Sequence, residues 1–285
     1  MGWMDYRTLG RTGEKIAAIG FGTWRIGGGM SPDYSHDREA IEAIKYAIKL
    51  GMTHIDTAEI YGAGHAEELV GKAIKELPRE DLFIATKVWH TNLRYDDVLK
   101  ACERSLKRLQ TSYVDLYIIH WPSRAIPLSE TMKAMERLYK EGKTRYIGVS
   151  NFSADQVEEA RSYLSVTDVV ANQVEYNLYN RSIEAELMPY CFKNGITITA
   201  YSPLAKGTLA RELKSPRNRR AKILFDLAEK YSKTPTQIAL NWVIWHEQVI
   251  AIPKAIQKHH IEENAAAAGW KLTKQDYELI SKTWK

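Results

Sequence analysis

Cysteine is nearly missing from this 285-residue chain, which has only Cys102 and Cys191. They fall in separate helical patterns without metal-ligand spacing, which argues against a disulfide framework or a metal site and favours a reducing, cytoplasmic setting. Long apolar runs are missing too: no stretch approaches the ~20 residues a spanning helix needs. Residues 1–9, with Asp5 and Arg7, lack the apolar core of a signal peptide. No block of like charge occurs, because 40 Lys and Arg are interleaved with 35 Asp and Glu for a formal net charge of +5. That balance speaks against nucleic-acid or membrane partners and leaves room for a small anionic ligand. No Pro/Gly/Ser-rich linker or low-complexity tract divides the chain, so one domain over 1–285 is expected. Asn and Gln are sparse beside Lys, Glu and Arg, as in many thermophilic proteins.

Both common nucleotide loops are missing as well. Gly20-Phe21-Gly22-Thr23-Trp24-Arg25 has two glycines of a G-x-G-x-x-G fingerprint, then Arg25 where the third is needed. Gly27-Gly28-Gly29 lacks the spacing, and no G-x-x-x-x-G-K-[S/T] loop occurs. A nucleotide bound here would have to be held some other way.

What the chain does have is a repeated beat of short apolar run, polar loop and amphipathic helix. Strands are expected at 16–22, 53–58, 82–88, 114–120, 144–149, 168–174, 196–201 and 249–253. Helices are expected at 37–50, 65–77, 95–110, 128–141, 153–164, 183–194, in a longer region 217–247, and at 258–269. Runs such as Tyr117-Ile118-Ile119 suit strands covered on both faces. Gly51 and Gly195 stand where helix C-caps belong. Eight βα units predict an α/β fold of the (α/β)8 TIM-barrel type.

In such a barrel the C-terminal strand ends meet at one rim. Asp56 and Tyr61 follow one predicted strand, Lys87 closes the next and His120 the one after. Singly, Asp56-Thr57 could cap a helix, Lys87 could be a surface residue and His120 a core histidine. Jointly they suit proton transfer: Asp56 holds Lys87, Lys87 acts on the Tyr61 phenol, whose ordinary pKa is about 10, and His120 donates to a developing oxyanion. The unpatterned stretch 203–218, with Lys206, Gly207, Arg211 and Arg217, lies past a strand end and reads as a mobile cover over an anion.

With these residues in view, the chain resembles the aldo-keto reductase superfamily over nearly its whole length. Besides Asp56-Thr57-Ala58 with Tyr61, the matching motifs are Gly22-Thr23-Trp24, Thr86-Lys87, His120-Trp121-Pro122 and Gly148-Val149-Ser150-Asn151-Phe152. Asn172-Gln173, Tyr201-Ser202-Pro203-Leu204, and Ile252-Pro253-Lys254 with Glu263-Asn264 complete the series. The resemblance implies reduction of small aldehydes and ketones with a nicotinamide cofactor, and Asp56, Tyr61, Lys87 and His120 as the catalytic tetrad. It further implies that Ser150, Asn151 and Gln173 hold the nicotinamide carboxamide, with Tyr201 as its stacking platform. Ser202, Pro203 and Leu204 would run beside the pyrophosphate, and Gly22, Thr23, Trp24 and Lys206 would also bind the cofactor. Ile252, Lys254, Ala255, His260, Glu263 and Asn264 would form the adenosine-phosphate site.

The chain departs from the family pattern at that last site. Ala255 stands where Ser is common and His260 where Arg is common, so a bidentate guanidinium is lost. NADP(H) is therefore the expected cofactor, with weakened preference and NAD(H) as the second choice. Trp24, Trp89 and Trp121 would form, with Tyr61 and His120, an aromatic collar for the carbonyl substrate. The chain ends soon after a helical pattern at 273–284, where many relatives carry a longer closing loop, so an open, broadly selective site is expected. A cofactor-sensing binding module is the other functional class; the intact tetrad favours an enzyme, as a monomer or small homo-oligomer.

Overall fold

A computed structural model of the chain describes residues 4–213 and 219–284. Arg217, the end of the 203–218 stretch and the first residues of the expected helical region 217–247 lie outside these residues. Two short strands come first, β1 (Tyr6–Thr8) and β2 (Lys15–Ala17), paired antiparallel as a hairpin. Eight parallel strands follow in sequential order: β3 (Phe21–Gly22), β4 (His54–Asp56), β5 (Phe83–Val88), β6 (Val114–Ile119), β7 (Thr144–Ser150), β8 (Val169–Glu175), β9 (Thr197–Tyr201) and β10 (Val249–Ala251). Parallel bridging of Ile19 to Ala251 joins the last strand to the first. Ala251 N–H donates to Ala18 O at 2.9 Å and Gly20 N–H to Ala251 O at 2.8 Å. The fold is the expected (α/β)8 barrel.

Helices α1 (Asp37–Lys49), α2 (His65–Ile74), α3 (Tyr95–Leu109), α4 (Leu128–Lys140), α5 (Ala154–Ser162) and α6 (Leu187–Asn194) alternate with the strands. α7 (Thr208–Glu212), α8 (Arg219–Tyr231) and α9 (Pro235–Val243) lie between β9 and β10, and α10 (Lys258–Ala265) and α11 (Lys274–Thr283) follow. α3 illustrates why these segments coil. Val98, Ala101, Cys102, Ser105, Leu106 and Leu109 are buried at helical spacing, with Asp96 and Asp97 in the first turn and Lys107 and Arg108 in the last. α6 ends on Gly195 in the left-handed region at φ 64°, as its position promised.

Three expectations need correction. The run 16–22 is not one strand: its first part pairs with β1 and its last part enters the barrel. Its residues are buried throughout, so apolar continuity hid the change of partner. The region 217–247 holds two helices, because Thr234 and Gln237 form a capping box and Pro235, lacking an N–H, opens a new helix. The described part of 203–218 is not unpatterned either, since 205–207 form a 3-10 turn that leads into α7.

The hairpin closes the N-terminal mouth of the barrel. Leu9 and Ile16 pack with Phe83, Ala85, Leu116, Ile118, Ala171 and Ile250, alternate residues of the strands, in one inner cluster. Moving two residues at a time up each strand leads from this floor to the opposite rim.

Candidate active site at the barrel rim

That period of two decides which side chains reach the rim. From Phe83 and Ala85 the next inward residue is Lys87, and from Leu116 and Ile118 it is His120. The same step leads to Asp56 on β4, Ser150 on β7, Gln173 on β8 and Tyr201 on β9. Tyr61 lies beyond its strand, on a 3-10 turn in which Gly62 and Ala63 take up left-handed backbone at φ 55° and 53°. A Cβ on Gly62 would sit 2.2 Å from Gly27 O, so the glycine-rich segment 27–29 serves to seat this turn.

Lys87 is the hub. Its buried Nζ donates to Asp56 Oδ1 at 2.6 Å, to Thr57 O at 2.8 Å and to Tyr61 Oη at 3.4 Å. Burial opposes its charge, but Asp56 and Tyr61 outweigh that and raise its pKa above the usual lysine value. Lys87 also pulls the Tyr61 phenol down, yet burial acts more strongly, so the phenol stands above its ordinary pKa and keeps its proton at neutral pH. His120 is pushed down to about 2, first by burial and then by Lys87 and His90, so its ring is neutral. Its Nδ1 is buried with no partner among the described residues.

Around this hub the remaining expected residues form a chain of hydrogen bonds. Tyr201 Oη donates to Asn151 Oδ1 at 3.0 Å, and Asn151 Nδ2 donates to Ser150 Oγ at 3.0 Å and His120 O at 3.1 Å. Ser150 Oγ donates to Gln173 O at 2.8 Å, while Gln173 Nε2 donates to Asp56 Oδ2 at 2.7 Å. Gln173 is thus a partner of the Asp56 carboxylate, a contact that no local motif reveals because it spans 117 positions. Asn172, beside it in the motif, faces away and donates to Phe152 O at 2.9 Å.

The flanking positions are also drawn to the rim. Thr23 Oγ1 donates to Asp56 O at 3.0 Å, and Gly22 packs so closely on Ile252 that a Cβ would meet its carbonyl at 2.6 Å. Trp24 lies 4.9 Å from the Tyr61 ring and Trp89 5.0 Å from the His120 ring, both edge-on. Trp121 is exposed next to His120 and makes no ring contact with the tetrad among the described residues. Ser202 and Pro203 follow Tyr201, Leu204 packs against the core, and Lys206 Nζ pairs with Glu175 Oε2 at 3.0 Å.

At the far end, Lys254 is exposed and its ammonium lies below the usual range through partial desolvation and the nearby Arg25 cation. Ala255 is buried, Asn264 is buried, and His260 faces Glu263 at 3.6 Å. Glu263 also accepts from Thr234 Oγ1 at 2.6 Å.

Comparison with known proteins shows what the whole chain is similar to. The sequence profile described as the aldo/keto reductase family matches residues 18–285. The chain is 37% identical to a methylglyoxal reductase of Escherichia coli strain K12 over 269 residues, covering 94% of this chain and 91% of the relative. It is 40% identical to a glyoxal reductase of Bacillus subtilis strain 168 over 270 residues, covering 94% and 89%. Among solved structures, a thermostable aldo-keto reductase in complex with the inhibitor epalrestat superimposes with a TM-score of 0.92 at 49% identity, covering 98% of this chain and all of the other. An aldo/keto reductase from Klebsiella pneumoniae in complex with NADP and acetate gives 0.86 at 36%, covering 98% and 95%.

Proposed function

The chain belongs to the aldo/keto reductase family, and from that premise we propose that it is an NADP(H)-dependent oxidoreductase that reduces small aldehydes and ketones to alcohols, reversibly, with Tyr61 as proton donor. The observation that carries this reading is the buried Lys87 ammonium between Asp56 Oδ1 and Tyr61 Oη, beside a neutral His120.

The residues present suit a nicotinamide cofactor. Ser150, Asn151 and Gln173 offer hydroxyl and amide groups at the rim, and Tyr201 offers a half-buried aromatic face beside them. Gly22, Thr23, Trp24, Ser202, Pro203, Leu204 and Lys206 would border its middle. Lys254, with Ile252, Ala255, His260, Glu263 and Asn264, would form the adenosine end, where a cation suits a phosphate. When bound, the cofactor supplies the hydride.

The protein's own groups then handle the carbonyl oxygen. Tyr61 holds the proton that oxygen needs, because burial keeps the phenol protonated. Lys87 steadies the phenolate left behind, and Asp56 keeps Lys87 charged and in place. Neutral His120 can donate an N–H to the same oxygen as negative charge builds on it. Trp24, Trp89 and Trp121 would wall the pocket against the substituent on the carbonyl carbon.

The relatives named for methylglyoxal and glyoxal support a small-carbonyl substrate class. The closed sheet and the match over 18–285 support a single domain. Cys102 and Cys191 are free and buried, each thiol pushed up to about 12 by burial above all, which fits a cytoplasmic enzyme. Among the described residues no helix is long and apolar enough to cross a membrane.

Titration of tryptophan fluorescence with NADPH and with NADH, followed by small aldehydes in the same cuvette, tests the assignment. Tighter binding of NADPH and its consumption on aldehyde addition are expected. Binding of either cofactor without turnover of any aldehyde would overturn the reading.

A further inference from the structure

One buried carboxylate beside the tetrad has no part in the proton transfer. Glu59 lies between Asp56 and Tyr61 in sequence, and its side chain is only 7% exposed. Its Oε1 accepts the backbone N–H of Trp89 at 2.7 Å and Asn92 Nδ2 at 3.0 Å, and its Oε2 faces Arg104 Nη2 at 3.5 Å. Its own N–H donates to Lys87 O at 3.3 Å. A single carboxylate therefore ties the loop after β4 to the turn after β5, which is otherwise closed by Asn92 N–H donating to Trp89 O at 2.9 Å. What hangs on that turn is the Trp89 indole, set edge-on 5.0 Å from His120, whose ring is 5.7 Å from Tyr61.

A buried carboxylate is costly unless donors converge on it. Three do here, and the two shorter bonds both come from the Trp89–Asn92 turn. We infer that Glu59 is a positioning residue that sets substrate range: it holds the Trp89 wall at the distance where a bulky or aromatic substituent on the carbonyl carbon can pack. It acts through Trp89, so compact aldehydes that scarcely reach the wall depend on it little. This inference rests on the carbonyl-reductase reading above.

The test compares kcat and KM, with NADPH, for methylglyoxal and for benzaldehyde in the parent, Glu59→Ala, Glu59→Gln and Trp89→Ala. Glu59→Ala is expected to raise KM for benzaldehyde about tenfold, the scale of a lost apolar contact, with methylglyoxal kcat/KM and NADPH affinity shifted by less than about threefold. Glu59→Gln keeps a carbonyl oxygen for both donors and should restore the parent ratio. Adding Glu59→Ala to Trp89→Ala should change the ratio no further, since both act through one wall. Equal loss on both aldehydes, an unchanged ratio, or additive effects in the double variant would overturn the inference. If Glu59→Ala does not fold, Asn92→Ala removes one donor and should move the same ratio about two- to threefold, the effect of one neutral hydrogen bond; an unmoved ratio there counts against the inference. A parent that reduces neither aldehyde sinks the carbonyl-reductase reading itself, whereas normal parent turnover with an indifferent Glu59 sinks only the positioning role.

Discussion

The two ends of the barrel each bury a carboxylate, and they treat it differently. At the floor, Asp115 Oδ2 accepts from Arg79 Nη2 at 2.6 Å and Ile84 N–H at 2.8 Å, and its Oδ1 accepts from Arg145 Nη1 at 2.8 Å. Arg145 also pairs with Glu14 in the hairpin turn. Two permanent cations and a backbone donor leave that carboxylate with no chemistry to do. At the rim, Asp56 is held by Lys87 and Gln173, and Lys87 keeps one longer contact, 3.4 Å, toward Tyr61. His120 nearby has a ring nitrogen without a partner among the described residues. A saturated network stabilises; one with slack toward a phenol can move a proton.

The contrast can be broken first at Tyr61. Tyr61→Phe removes only the phenolic proton and should lower kcat about 100- to 10,000-fold, the usual worth of a general acid, with NADPH affinity retained by fluorescence titration. Turnover near the parent level would remove Tyr61 from its role. At the floor the expected damage is to stability. Asp115→Ala leaves the Ile84 N–H and the partly exposed Arg79 and Arg145 without their acceptor and should cost about 1–3 kcal/mol in a denaturant melt, while folded protein keeps its kcat. A large kcat loss at unchanged stability would erase the distinction between the two ends.

pH sharpens the comparison next. Burial above all holds His54, near the floor, down to about 4, and holds His120 at the rim down to about 2. Both folded values lie below the unfolded one of 6.5, so the unfolded chain binds more protons and stability falls as pH drops below 6.5. Each neutral ring contributes up to about 1.4 kcal/mol per pH unit once pH is well below 6.5, so His54→Leu should lower the slope measured by melts toward pH 5 by about that much. In the proposed mechanism, reduction needs protonated Tyr61. Because its pKa is raised, activity should hold through neutral pH and fall only in the alkaline range.

The smallest effect is expected at the outer margin of the rim. His260→Arg restores a charged fork near Lys254 and should tighten NADPH about tenfold while leaving NADH nearly unchanged, since a charged hydrogen bond contributes about 1.5–3 kcal/mol. Equal tightening of both would mean that this position does not read the phosphate.

Much of this was legible in the residues. Asp56, Lys87 and His120 each close an apolar run, and a period of two in a parallel strand carries a strand-end residue to the rim whatever the loops do. Less legible were contacts that join distant segments. Gln173 also binds Asp56, 117 positions away, and Glu59, to which no sequence pattern assigns a role, holds Trp89. The run 16–22 concealed a hairpin because both of its environments are buried.

Strand and helix periods, the capping chemistry at Ser153, Thr234 and Gly195, and the placing of titratable residues at strand ends were determined by the sequence itself, because each depends on neighbours a few positions away. Which groups stay neutral, which carboxylate is saturated and which keeps slack, and which face of Trp89 meets His120 were decided only by the closed barrel. Those properties depend on burial and on partners brought together across the fold, and desolvation acts on a charge only when the rest of the chain has excluded the water.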